Sequence, residues 1–190
     1  QKLLVGAGWR VVDNVLVHAE TGEPMTVEFL LLSPAHERIV GPIRENLKRL
    51  GVRSRIRTVD SSQYQNRLQT FDYDLILFTW RQTLSPGNEQ RNFWSSAAAD
   101  FNGSRNYAGI RDPVVDDLVE RIIAAQSRHV QVALTRALDR VLLWGHYVIP
   151  GWYSNAYRLV YWNKLGRADP PPPNRLGFPE TWWFQTASEP

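Results

Sequence analysis

At 190 residues the chain has the length of one domain, with volume enough for a hydrophobic core that needs no covalent staples. Its 22 Lys and Arg against 19 Asp and Glu leave a net charge of +3, a mild excess spread along the sequence that decides little about partners. Cysteine is absent, which excludes disulfides, thiolate nucleophiles and cysteine-ligated zinc, and no apolar run approaches the roughly 18 residues that span a bilayer.

Aromatic residues make up 12%, with eight Trp and seven Tyr, side chains that offer a large apolar body with a polar tip and suit recognition. The opening Gln1 to Gly6 is too short for a signal peptide and lacks an initiator Met, so a piece of a longer protein is expected.

In chain order, Lys2 to Ala7 reads as the end of a helix stopped by Gly8. Val11 to Val17 carries β-branched residues around Asp13-Asn14 and reads as a short hairpin. From Met25, the alternation of Val27, Phe29 and Leu31 predicts a strand ending at Ser33-Pro34, where Ser33 can cap a helix with proline at its first position. Ile39, Val40, Ile43, Leu47 and Leu50 recur at helical spacing until Gly51, with a kink or restart expected at Pro42. Val52, Ser54 and Ile56 alternate with Arg53, Arg55 and Arg57, a second strand with one wet face. Asp60-Ser61-Ser62-Gln63 resembles a capping box before a short helix carrying Tyr64 and Leu68.

Phe71 to Trp80 then reads as a strand buried on both faces and central in its sheet. The order β-α-β-α-β with short connections implies an α/β fold whose sheet is mostly parallel, with right-handed crossovers. Ligands of such sheets bind beyond the carboxyl ends of the strands. The polar loop after Trp80, as far as Gln90, is therefore the first candidate site. Arg91 to Ala99 is expected to form one or two helical turns, and residues 100–106 a loop. Asp112-Pro113 starts a helix through Ile123, and a last helix runs from about Val130 to Trp144. Beyond it, residues 147–153 and 158–162 read as extended, Pro170 to Pro173 as a stiff linker, and Gly177 to Phe184 as too aromatic to be a free tail.

Catalytic and metal signals are thin. The four histidines are scattered without ligand spacing, and neither a nucleophile elbow nor a phosphate-binding loop occurs. Asp72 and Asp74 are a carboxylate pair, but at the amino end of their strand, away from the expected crevice. Two other readings stay open: an α/β enzyme domain with an incomplete site, and a nucleic-acid module built on Arg53, Arg55 and Arg57.

Several stretches resemble the carboxyl-terminal part of the family 5 extracellular solute-binding proteins, the peptide-binding components of bacterial ABC importers. They are Leu3 to Trp9, Asn46 to Val52, Phe71 to Trp80, and Asn106 to Ile110 continuing through Val115 to Leu118. Ser85 to Arg91, Ala137 to Trp144 and Thr181-Trp182-Trp183 are similar to the subgroup linked to oligopeptide and microcin C uptake. The resemblance implies a periplasmic-binding-protein-like lobe over about residues 1–146, and a segment 147–190 that serves as hinge and returns to a second lobe. It implies peptide or peptide-like ligands held between the lobes, a membrane permease as partner and a periplasmic setting; a monomer with no cofactor or metal, no catalysis and no nucleic acid is expected. In better-known dipeptide and oligopeptide binders of the family an aspartate soon after this tryptophan pairs with the peptide amino terminus. Here Arg81-Gln82-Thr83-Leu84 follows Trp80 with no acid, which implies a different anchor for the amine. The ligand-binding residues expected are Trp80, Arg81, Thr83, Ser85, Asn88, Asn106, Trp152 and Tyr153, with Arg81 as partner of a ligand carboxylate.

Overall fold

The computed structural model describes residues 2–151, 153–154, 156–172 and 177–185, and the chain divides into two units, Gln1–Val148 and Ile149–Pro190. In the first unit, helix α1 (Lys2–Gly6) leads to a hairpin of β1 (Trp9–Val12) and β2 (Val15–His18). Asp13 and Asn14 both take positive φ at its turn, 50° and 63°, which is the twist a two-residue hairpin needs and which Asn and Asp tolerate best.

The sheet that follows contains β3 (Thr26–Leu31), β4 (Arg53–Thr58) and β5 (Leu75–Ile76), all parallel and in the order β4-β3-β5. The crossover helices are α2 (Glu37–Arg49) and α3 (Ser61–Gln69). From β3 the chain steps to one side, then crosses back to the other, so right-handed connections must put the two helices on opposite faces. They do. Phe29 and Leu31 pack with Val40, Ile43 and Leu47 of α2, whereas Leu30 packs with Tyr64 and Leu68 of α3. Gly51 ends α2 with φ +84°, and a Cβ there would stand 2.7 Å from the Leu16 backbone nitrogen, which donates to Gly51 O at 2.8 Å. Only glycine fits both demands.

Two expectations are corrected here. The segment Phe71 to Trp80 is neither central nor buried on both faces: it pairs only at Leu75–Ile76, at one end of the three strands, and its side chains are half-buried or exposed. The central strand is β3, where Leu30 and Leu31 are almost fully buried, because it alone has neighbours on both sides and a helix on each face. The helix α2 also runs through Pro42 as one element, with the proline ring on its exposed side. A single 3-10 turn at Pro34–His36, capped by Ser33, precedes it.

A buried carboxylate ties these elements together. Glu28 of β3 is 4% exposed and accepts from Arg55 Nε and Arg67 Nη2, each at 2.7 Å. Arg67 Nε in turn donates to Asp72 Oδ2 at 2.8 Å, and the Glu28 backbone N–H donates to Asp74 Oδ2 at 2.7 Å. Burial by itself would raise the Glu28 pKa, but the hydrogen bonds and charges of Arg67 and Arg55 outweigh it and hold the carboxyl below its ordinary value.

Helices α4 (Glu89–Trp94), α5 (Pro113–Ile123) and α6 (Arg128–Trp144) form their own core, centred on Phe93, Trp94, Ile110, Val115, Val119, Ile122 and Leu138. Asp112 caps α5 through the Val114 N–H at 2.8 Å, with Pro113 in the first turn, as the sequence predicts. The second unit holds an antiparallel pair, β6 (Leu165–Arg167) and β7 (Trp182–Phe184). Residues 147–151, 153–154 and 156–162 join no ladder; the ladder of this unit lies further on, where Trp182 packs edge-on against Tyr161 and Phe178. Among the described residues no helix is long and apolar enough to cross a membrane.

Candidate functional site

The order β4-β3-β5 makes the gap between the carboxyl ends of β3 and β5 the place where successive connections diverge, the usual ligand position in open α/β sheets. The chain leaving β5 there becomes aromatic. Phe78 meets Tyr107 with ring centroids 4.6 Å apart and Trp80 at 5.1 Å, both near edge-to-face. Trp80 lies 5.1 Å from Trp94, and its indole Nε1 donates to Arg105 O at 3.0 Å. These contacts leave Trp80 half-buried, joining the strand to the helical core. Its indole N–H is thereby occupied by the Arg105 carbonyl.

Past Trp80 the loop carries four of the expected ligand contacts, and all four side chains are exposed. Arg81 makes no hydrogen bond or ion pair among the described residues, so its guanidinium is available to an anion. The Thr83 hydroxyl donates to Ser85 O at 2.9 Å and accepts from Ser85 N at 3.3 Å, a local turn motif that shapes the loop. Ser85 keeps its own hydroxyl uncommitted among the described residues. Asn88 Oδ1 accepts from Arg91 Nη1 at 2.7 Å, and Arg91 is itself held by both oxygens of Glu120 at 2.6 Å.

Asn106 is placed differently. It is fully buried, its Nδ2 donates to Ser95 O and Ile110 O, and its Oδ1 accepts from Ile110 N, all at 2.9 Å. Nothing on this side chain is left to offer a ligand; it braces the segment 95–110 internally by tying Ser95 to Ile110. Tyr153 is 87% exposed and belongs to the second unit, while Trp152 lies outside the described residues. The structure thus gathers Trp80, Arg81, Thr83, Ser85 and Asn88 on one stretch and gives Asn106 a bracing role.

Sequence reasoning missed the residues underneath the loop. Gln90, 3% exposed, donates from Nε2 to Gln82 Oε1 at 2.7 Å and accepts from Trp94 Nε1 at 2.9 Å. The Gln90 and Trp94 pair stands at helical i, i+4 spacing and was readable in principle. Glu89 Oε1 accepts from Gly87 N at 2.9 Å. Burial pushes the Glu89 pKa up, yet the Gly87 N–H, the Gln90 amide and its own N–H together bring it below the ordinary value. From α6, Arg128 Nη1 donates to Leu84 O, and Gln131 Nε2 donates to Pro86 O at 3.0 Å. No local pattern announces contacts across 44 and 45 residues.

The other candidate chemistries look different in three dimensions. Asp72 is paired with Arg67 and Asp74 accepts the Glu28 N–H, at the opposite end of the strand from the loop. Of the arginine stripe, Arg55 is engaged by Glu28. Among the described residues no group of three or more His, Asp or Glu gathers in a way that could hold a metal ion.

No protein-family model matches the chain. Over 187 residues it is 52% identical to the protein y4wM of Sinorhizobium fredii, covering 98% of this chain and 28% of that protein. Over 182 residues it is 48% identical to the probable peptide-binding protein YejA of Agrobacterium fabrum, covering 96% of this chain and 30% of that protein. The chain therefore spans under a third of the length of either relative. Among solved structures it is similar to the oligopeptide-binding protein AppA of Bacillus subtilis, in complex with a nonapeptide, with a TM-score of 0.64 and 18% identity over 74% of this chain and 28% of that one. That likeness establishes the fold, and with the sequence relatives it bears out the resemblance read from the sequence.

Proposed function

We propose, from the premise that this chain belongs with the extracellular solute-binding proteins of family 5, that it forms part of the substrate-binding component of a bacterial ABC importer for peptides. The observation that carries the reading is Arg81: an exposed guanidinium without a partner among the described residues, on a held loop at the carboxyl end of β5, in a chain 48% identical to a protein named for peptide binding. A planar guanidinium takes a carboxylate in two parallel hydrogen bonds, and a peptide presents one at its end. Arg81 would hold that carboxylate, with Ser85 and backbone groups of the loop holding the peptide chain by strand-like hydrogen bonds. Ligand side chains would sit in wet pockets that tolerate variety. Trp80 and Phe78 would bound the site with aromatic surface.

In this reading the first unit is one lobe, residues 147–190 run toward the other, and the ligand is enclosed as the two close. The working place is the periplasm, the partner a membrane permease, and the acting form a monomer that binds and releases without chemistry. The test is isothermal titration of the full-length gene product with penta-alanine and with its carboxyl-terminal amide. Wild type is expected to prefer the free acid, and Arg81→Ala to lose about 10- to 100-fold in affinity for it, as befits a charge-assisted pair, together with the preference. Equal affinities of wild type and variant for the free acid would remove Arg81 from the site.

A further inference from the structure

The seven residues between Trp80 and Asn88 form no helix or strand, yet their shape is fixed at almost every step. From α4, Gln90 holds the Gln82 side chain and Glu89 holds the Gly87 N–H. Thr83 and Ser85 close on each other. From the start of α6, the Arg128 guanidinium donates both to Leu84 O and to Gln131 Oε1, the latter at 2.8 Å, and Gln131 passes its own amide hydrogen to Pro86 O. The two α6 residues thus act as one bracket, each amide or guanidinium group orienting the next. Arg128 and Gln131 are one helical turn apart on a helix capped by Ser127 and rooted in the core through Leu134 and Leu138, so the bracket stands on a rigid support. The bracket takes up backbone carbonyls of the loop and leaves Arg81 and the Ser85 hydroxyl facing outward.

We infer that Arg128 and Gln131 are positioning residues for the ligand loop, holding its backbone in the binding shape before a ligand arrives. This rests on the peptide-binding reading above. Order that exists beforehand need not be created on binding, and its loss shows as weaker affinity although no ligand contact has been removed. Gln131→Leu removes the donor to Pro86 and keeps helix propensity and volume; Arg128→Lys keeps a charged donor within reach of Leu84 O, whereas Arg128→Ala does not.

The experiment uses the full-length gene product in two arms. Hydrogen–deuterium exchange of the ligand-free protein is expected to speed up across residues 82–87 in Gln131→Leu and Arg128→Ala, and to stay near wild type in Arg128→Lys, with the melting temperature little changed. Titration with penta-alanine is expected to show about tenfold weaker binding for Gln131→Leu and Arg128→Ala and recovery in Arg128→Lys. On an Arg81→Ala background the Gln131→Leu penalty should shrink, because the charged contact that the loop positions has gone and only Ser85 and the backbone groups remain to be placed. Exchange equal to wild type, or faster exchange with unaltered affinity, overturns the inference. A wild type that fails to bind penta-alanine counts instead against the peptide-binding reading and takes the inference with it.

Discussion

Glu28→Ala is expected to destabilise the chain by about 3–5 kcal/mol, the cost of leaving a buried charge without its partner. Most of it should come from Arg67, whose side chain is 17% exposed, since Arg55 at 76% exposure can turn to water. Arg67 has little else to fall back on: Nη1 is already buried without a partner among the described residues, and only Asp72 would remain. The change also unties the corner where β3, β4, α3 and the entry to β5 meet. Urea unfolding followed by tryptophan fluorescence measures it, and a loss below about 1 kcal/mol, the scale of an exposed pair, would show the network to be ornamental. The pH dependence has a definite sign. The folded-state pKa of Glu28 is depressed, so its contribution is complete above the ordinary value of 4.5 and disappears as the pH falls through the folded value. The stability gap between wild type and Glu28→Ala should therefore be widest near neutrality and close on acidification below pH 4.5.

Asn106→Ala is expected to cost about 3 kcal/mol, because it leaves an N–H and two carbonyls unpaired at a fully buried position, each costing about 1–3 kcal/mol before relaxation. The groups stranded are Ile110 N, Ile110 O and Ser95 O. Asn106→Asp should be no milder at neutral pH. It preserves the acceptor for Ile110 N but sets a second oxygen against two carbonyls, and a carboxylate there has no cation among its hydrogen-bond partners. Thermal unfolding of both variants decides the matter: if aspartate proves near-neutral, the three bonds do not brace the segment. Since that segment carries Arg105, which receives the Trp80 indole, and Tyr107, which meets Phe78, a less firmly held chain after β5 is the secondary consequence.

What the sequence makes legible is local. Ser33, Asp60 and Asp112 cap where they are read to cap, because a cap is a contract between residues two or three apart. The Asp13-Asn14 turn and the Gly51 stop are legible for the same reason, their positive φ being demanded by neighbours in the chain. The strand order was not legible. Periodicity and apolar content favour Phe71 to Trp80 as the central strand, whereas centrality depends on which strand acquires two partners, a long-range property that here went to β3. The aromatic tail of that segment was apolar in order to pack on Trp94 and Tyr107, beyond the sheet.

The site shows the same division. The loop itself follows from where a strand ends, and Arg81 from its charge. Its supports come from α4 and from α6 more than 40 residues away, and Asn106, a polar residue in a loop-like stretch, gives no sign from sequence that it is buried and saturated. Such residues announce themselves only when the carbonyls they satisfy are known.

The measurement to make is native mass spectrometry of the gently purified full-length gene product, with released small molecules sequenced. Co-purified peptides that end in a free carboxylate are the predicted result, and their absence from Arg81→Ala purified in the same way would tie them to the loop. A non-peptide ligand, or an empty protein that also ignores a random peptide library, would contradict the reading of this chain as part of a peptide-import component.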